Sequence, residues 1–282
     1  MKDLAILIPV FNDQESLINT LESIRETDNS FTVVVVDDGS AVPIEVERER
    51  YPFEIVTLRQ AENGGIISAL NTGLDYIRSC GFTFIARLDA ADRNRPMRFS
   101  KQLERLAAHP DLHMLGSNAT FRDESDGSEI LTTQLPLQQD KIRRAIIFRT
   151  CFIHPTIMLR TECLDAVGQY DTKFPHIEDY VLFSRIAARF RSENLEEVLV
   201  DCSIRAGGIS VKNHRRQLLS GLRFQLQHPR PLNYRWYAYL AKRLAYFIVP
   251  LRIARPIKTI LGITRPIPQK QSVTRQRKTI RT

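Results

Sequence analysis

The chain has 282 residues, 43% of them hydrophobic and 26% charged, enough for one large domain with a substantial core or for a domain plus an appendage. Its four cysteines, Cys80, Cys151, Cys163 and Cys202, show no CxxC spacing or metal-ligand grouping, which excludes a disulfide scaffold or zinc module and predicts buried reduced thiols in a cytosolic protein. The net charge of +8 is unevenly divided: Asp201 is the last acidic residue, so 18 Lys and Arg follow it unopposed while the first 201 residues hold 22 basic against 32 acidic side chains, and such a tail is expected to meet a polyanionic surface.

Residues 4–9, L-A-I-L-I-P, predict a first strand whose apolar run is too short for a signal peptide. A helix is expected near 14–26, then a strand at 33–37 whose V-V-V-V run is continuously β-branched, as in a central strand covered on both faces. Strands follow at 54–58, 82–89 and 112–120, alternating with helices near 66–78 and 97–108, the latter with Pro96 expected in its first turn. This alternation is the pattern of βαβ units, so the fold class is α/β with a mostly parallel central sheet and helices on both faces. Beyond residue 130 helices are expected near 138–148 and 178–190 and strands near 156–160 and 196–201, without a linker on which to divide the body.

The final stretch differs in kind, which gives a body at 1–210 and a basic, aromatic segment at 211–282. Leu218–Gln227 and Tyr234–Val249 read as helices, but Lys242, Arg243 and Arg252 interrupt the apolar run and Pro250 stops it, short of the ~20 uninterrupted apolar residues a membrane span requires. Trp236, Tyr237, Tyr239, Tyr246 and Phe247 interleave with Arg and Lys, a composition suited to amphipathic helices lying in an anionic headgroup boundary.

Four short motifs carry the chemistry: I-P-V-F-N at 8–12, V-D-D-G-S at 36–40, N-G-G-I at 63–66 and R-L-D-A-A-D at 87–92. Each alone is accounted for by a turn or a helix cap. Their recurrence at successive strand ends is not, because in an open α/β sheet the ligand crevice lies beyond the carboxyl ends of the strands. They are expected to converge on one edge.

The ordered series I-P-V-F-N, V-D-D-G-S, E-N-G-G-I and A-R-L-D-A-A-D, then H-P-T at 154–156, G-Q-Y-D at 168–171 and I-E-D-Y at 177–180, resembles the family 2 glycosyltransferases of the GT-A fold over roughly residues 4–210. The resemblance implies inverting transfer from a nucleotide-sugar, with UDP the expected carrier and a divalent cation, Mn2+ or Mg2+, bound by a D-x-D motif. It places Pro9 and Phe11 at the base, Asp37 and Asp38 on the uracil or ribose, Asn63 and Gly64 against the nucleotide, and Arg87 and Asp89 near the ribose and donor sugar. It makes Asp179 the general base, with Glu178 orienting it or the acceptor, and sets His154 on the acceptor side and Arg205 by the diphosphate. The commonest pattern reads D-A-D-D, so the usual metal ligand falls on Ala91, whose methyl group cannot coordinate a hard cation. Asp92 or Asp89 remains as the candidate ligand, Arg93 or Arg95 is the alternative partner of the diphosphate, and the His that many relatives carry late in the domain is absent from 203–210.

The function so implied is transfer of a sugar to a hydroxyl of a lipid-linked glycan in lipopolysaccharide, O-antigen or capsule assembly, by a cytoplasmic enzyme peripheral on the inner face of the cytoplasmic membrane. Three alternatives stand beside it: a catalytically impaired relative; a nucleotidyltransferase, which needs a Gly-rich, Lys-bearing loop that F-N-D-Q-E-S lacks; and a nucleic-acid binder using the tail, which the acidic body disfavours. No nucleic-acid partner is expected.

Overall fold

The computed structural model describes residues 3–205, 214–229 and 233–248, apart from the side chains at positions 214, 215, 242 and 245–248. Strands β1 (Leu4–Val10) and β2 (Phe31–Asp37) are buried at every position, as their unbroken apolar composition requires of strands covered on both faces. Around them come α1 (Gln14–Glu22), β3 (Glu54–Arg59), α2 (Ile66–Ser79), β4 (Phe84–Arg87), β5 (Arg93–Asn94), α3 (Arg98–Ala108), β6 (Leu112–Asp123) and β7 (Glu129–Thr132). The chain continues through α4 (Gln139–Ala145), β8 (Met158–Arg160), α5 (Cys163–Val167), α6 (Glu178–Arg189), β9 (Arg191–Ile204), α7 (His214–Gln227) and α8 (Tyr234–Ile248).

The sheet runs β3-β2-β1-β4-β8-β6-β9-β5, with β7 on the outer part of β6. β1 is parallel to both β2 and β4, β8 is antiparallel to both β4 and β6, and β6 is parallel to β9. The carboxyl ends of β1, β2, β4, β6 and β9 therefore share one edge. Side chains alternate between faces. Leu7, Val34, Val36 and Ile85 pack with α2 and α6, whereas Ile6, Ile8, Val33, Val35 and Ala86 pack with α1 and α3. Each such buried Val, Leu or Ile stabilises the fold by about 1.5–3 kcal/mol.

Several expectations are corrected. β4 ends at Arg87 rather than Asp89, because the chain turns there and the Asp92 N–H closes on the Asp89 carbonyl at 3.1 Å. α1 stops at Glu22, which frees Glu26 to accept the Phe99 and Ser100 N–H groups at 2.9 and 3.1 Å and so cap α3 from outside. Pro96 lies outside α3, whose entry is set instead by Met97 at φ +62°. β9 has 14 residues, far more than 196–201; its polar start is buried, with Asn194 Nδ2 donating to the Pro136 and Cys151 carbonyls at 2.8 and 2.9 Å. All four cysteines are free as expected, but Cys80 is exposed at the end of α2.

Trp236 and Tyr239, expected at a lipid boundary, are buried. Trp236 Nε1 donates to the Gln225 carbonyl at 3.1 Å, and Phe224 sits edge-on to Phe174 and Tyr180, so α7 and α8 dock on the body beside α6. No helix among the described residues is long and apolar enough to cross a membrane. Tyr246, Phe247 and the tail beyond residue 248 lie outside the described side chains, as do Gly207 and Gly208.

Candidate active site

Strand parity decides which motif residues meet. Pro9, Asp38 and Arg87 carry the parity of the α2 and α6 face, while Asp37 carries that of the α1 face. Asp37 accordingly turns away from its expected place on the nucleotide. It is 1% exposed, accepts the Ser40 N–H at 2.9 Å, and pairs with Arg59 at 2.6 Å, so its carboxylate is spent on building the loop. Asp38 stays at the edge, where its oxygens accept the Gly64 N–H at 2.9 Å and the Asn63 amide at 3.2 Å. Burial pushes its carboxyl above the ordinary range, against the pull of the Gly64 and Gly65 N–H groups. Gly39 is required between them: at φ +70° a Cβ there would stand 2.4 Å from the Glu62 carbonyl carbon. Pro9 is buried at the end of β1, and Phe11 is 45% exposed just beyond it, free to stack on a planar ring.

On the other side of β1, Arg87 is almost wholly buried and donates to the Leu7 and Leu88 carbonyls at 2.8 and 2.7 Å, to Asp89, and through Nε to His154 Nε2 at 3.3 Å. Because Arg87 can only donate, His154 Nε2 is the acceptor; Tyr170 O–H donates to the same nitrogen at 2.8 Å, so the ring proton resides on Nδ1. Burial and the Arg87 charge drop the His154 pKa to about 3, leaving a neutral imidazole at physiological pH. Burial opposes ionisation of Asp89, but the Arg87 guanidinium overrides it and holds that carboxyl below its usual range. β2 and β4 flank β1, so the strands that lead to Asp38 and Asp89 are two strand spacings, about 9–10 Å, apart across the sheet.

Glu178 and Asp179 open α6 against this cluster. Burial, then the Glu178 carboxylate, raise Asp179 to about 7, with Asp89 near enough to add to the effect. Asp179 Oδ1 accepts the Tyr180 N–H at 2.6 Å. Glu178 is also raised by burial, and its Oε2 is buried without a partner, an acceptor open to a ligand hydroxyl.

The expected divalent cation meets a sparse donor set. Ala91 sits at φ +84° with its N–H on Thr20 Oγ1 at 3.0 Å. Asp92 is 6% exposed and accepts the Ser203 N–H at 2.8 Å, which ties it to β9 rather than to a cation; burial, then Asp89, push its carboxyl well up. Among the described residues no three His, Cys, Asp or Glu side chains gather to hold a metal ion, so the described residues do not build a chelate. Arg205, expected at the diphosphate, is engaged by Asp13 and Glu124 at 2.6 Å each, across the rim between α1 and β6. Arg95 is committed to Asp201 at 2.8 Å. A cleft of about 530 Å³ beside Asn12, Ala41, Ile44 and Tyr51 is lined by none of the gathered carboxylates and lies off the chemistry.

Two supports escaped the sequence. Tyr170, which orients His154, is held by reciprocal bonds between its backbone and Asn71 at 3.0 and 3.1 Å. Arg98, fully buried, donates to the Arg87 carbonyl at 2.8 Å and to Gln102 at 3.0 Å, bracing the end of β4 from below. The contiguous G-Q-Y-D motif was a signal for the first; nothing in R-F-S-K-Q-L distinguishes Arg98 from a solvated helix residue.

A mostly parallel sheet whose carboxyl edge carries Asp38 and Asp89, with Glu178 and Asp179 opening α6 against it, has the architecture of the GT-A class, and comparison with known proteins agrees. Residues 5–168 match the family described as Glycosyl transferase family 2, and the chain belongs to that family. It is 30% identical over 220 residues to the amylovoran biosynthesis glycosyltransferase AmsE of Erwinia amylovora, covering 75% of this chain and 79% of that one. It is 26% identical over 208 residues to the O-antigen biosynthesis glycosyltransferase WbnJ of Escherichia coli, covering 71% and 79%. In fold it is similar to TarS 1–349 of S. aureus in complex with UDP-GlcNAc, with TM-score 0.63, 18% identity and coverage of 94% and 77%. It is also similar to the mannosyltransferase PcManGT of Pyrobaculum calidifontis in complex with GDP-Man and Mn2+, with TM-score 0.60, 17% identity and coverage of 93% and 81%.

Proposed function

We propose that this glycosyltransferase carries out inverting transfer of a sugar from a nucleoside diphosphate sugar, UDP being the carrier, to a hydroxyl of a lipid-linked glycan in surface-polysaccharide assembly. The observation that carries the proposal is the Asp179 carboxyl poised near pH 7 beside Asp89, the position of a proton acceptor next to a donor-sugar ligand. In this account the nucleotide lies along the β1 edge, with the base on Phe11 and Pro9 and the ribose and donor sugar reaching Asp38 and Asp89. The neutral His154 offers an Nδ1–H donor without adding a charge. Asp179 takes the acceptor hydroxyl's proton as the new C–O bond forms on the face opposite the breaking bond, and the nucleoside diphosphate leaves with the bonding pair. The partnerless Glu178 Oε2 orients the acceptor. No step is routed through a metal ion. The polysaccharide assignment is supported by what the relatives AmsE and WbnJ are named for.

The lipid-linked acceptor is supported by the helical pair. Tyr234, Tyr237 and Leu244 project from one face of α8, each more than half exposed, and Leu219 and Leu226 do so from α7. The 18 basic residues after Asp201 add attraction to anionic lipid at about 1 kcal/mol per residue near the surface. We place the enzyme on the cytoplasmic face, with the membrane and not nucleic acid as its polyanion. A thermal-shift panel of uridine, guanosine and thymidine diphosphates and their sugars tests the donor assignment. A rise in melting temperature with at least one is expected, and no rise with any rejects it.

A further inference from the structure

The turn after β4 has a backbone suited to a residue it does not carry. A φ of +84° is a region that Asp and Asn enter more readily than alanine, yet position 91 holds a methyl group. The neighbouring carboxylate does not compensate, since Asp92 is buried on the Ser203 N–H. Asp89 is left as a single carboxylate with one oxygen already on Arg87. A hard divalent cation held by protein needs more oxygens than this, and with so few it would depend almost wholly on the diphosphate.

Beside Ala91 the same carboxyl edge of the sheet carries a cleft of about 290 Å³, lined among others by Asn19, Arg93, Arg122, Asp201 and Ser203. The tight turn that closes the Asp92 N–H on the Asp89 carbonyl at 3.1 Å connects Asp89 directly to Ala91 on the cleft wall. Its acids are already occupied. Asp201 is shared by Arg95 and Arg122 at 2.8 and 3.3 Å, Glu124 is paired with Arg205 at 2.6 Å, and Asp123 accepts the Ser125 N–H at 2.9 Å. Arg93 stands opposite Asp201 in the β5–β9 pair, is exposed, and has no ion-pair partner among the described residues. It is a cation in the cleft that Ala91 also lines.

Given the sugar-nucleotide assignment above, we infer that this chain holds the donor diphosphate with the Arg93 guanidinium in the cleft beside Ala91, in place of a divalent cation chelated by the protein. A guanidinium presents a planar fork of donors matched to phosphate oxygens, so the substitution is chemically direct.

The test is calorimetric titration of the full chain with whichever of uridine, guanosine or thymidine diphosphate the thermal-shift panel selects, in EDTA and in Mn2+. Affinities within about threefold of each other are expected; binding tighter by tenfold or more in Mn2+ overturns the inference while leaving the donor assignment standing. Absence of binding in both buffers removes the donor assignment and the inference with it. Arg93→Gln is expected to weaken the diphosphate by about tenfold or more in EDTA without altering the melt of the free protein, and an unchanged affinity excludes Arg93. Ala91→Asp is expected to restore a Mn2+ response of about tenfold. A variant still indifferent to Mn2+ shows that metal binding was not lost at this position, and overturns the inference.

Discussion

Replacing Asp179 with Asn removes the proposed base while keeping size and the oxygen that accepts the Tyr180 N–H. A positioned base contributes about 10²–10⁴-fold, so turnover is expected to fall by that factor with nucleotide affinity unchanged. The folded protein holds the Asp179 proton up to about 7, against an ordinary value of 3.8, because of burial and Glu178. The native state thus binds this proton more tightly than the unfolded chain, so the carboxyl costs nothing below the unfolded pKa. Its cost to the wild-type fold grows as pH rises from about 4 and is complete above about 7. Some three pH units correspond to a ceiling of about 4 kcal/mol, and because the residue is half-buried rather than sealed from water, about 2 kcal/mol of it is expected. Asp179→Asn is therefore expected to melt about 4–8 °C higher than wild type at pH 8 and equally at pH 4, read by calorimetry. The wild-type kcat/KM should rise with pH up to about 7 and level off above it. A variant with turnover within threefold of wild type, or with no gain in melting temperature at pH 8, refutes the assignment of base and environment.

Asp38→Ala releases Asn63 and Gly64, and nucleoside diphosphate affinity measured by calorimetry should weaken by about tenfold or more, with an unchanged value showing that Asp38 and its loop do not shape the base site. Gly39→Ala forces a methyl to within 2.4 Å of the Glu62 backbone at a positive φ; urea melts should show a loss of about 3 kcal/mol or more, and a loss under 1 kcal/mol contradicts the packing of the two loops. Changing the exposed Tyr234, Tyr237 and Leu244 together to Ser should lower sedimentation with anionic vesicles at least fivefold while moving the melting temperature by no more than about 2 °C. Undiminished sedimentation counts against this face as the lipid contact.

The sheet and its working edge were legible because continuous β-branched runs, followed by Asp, Asn and Gly at their carboxyl ends, leave little freedom in where a parallel strand stops. Strand parity alone separates Asp38, at the crevice, from Asp37, inside the loop, and a continuous V-V-V-V-D-D run does not display which face is which. β9 was legible only in part because its buried stretch is Ser192, Glu193 and Asn194, where the Asn194 amide N–H2 donates to the Pro136 carbonyl and the Glu193 carboxylate pairs with Arg105, partners far away in the chain. The same holds for the cap that Glu26 supplies to α3 and for buried Arg98, whose partners are fixed only by tertiary contact. In α8 the aromatic and basic composition suggested one surface, whereas helical periodicity divides it: Trp236 and Tyr239 face α7, and Tyr234, Tyr237 and Leu244 face outward.

The most direct measurement is hydrogen exchange of the full chain with and without saturating UDP-sugar. Protection is predicted to appear together in the four separate segments around residues 9–13, 37–41, 62–66 and 87–92, since a single ligand bridges the strand ends. Protection limited to one of them, or found instead on the far wall of the neighbouring cleft around residues 43–51 without the Asp89 turn, would contradict a shared donor crevice.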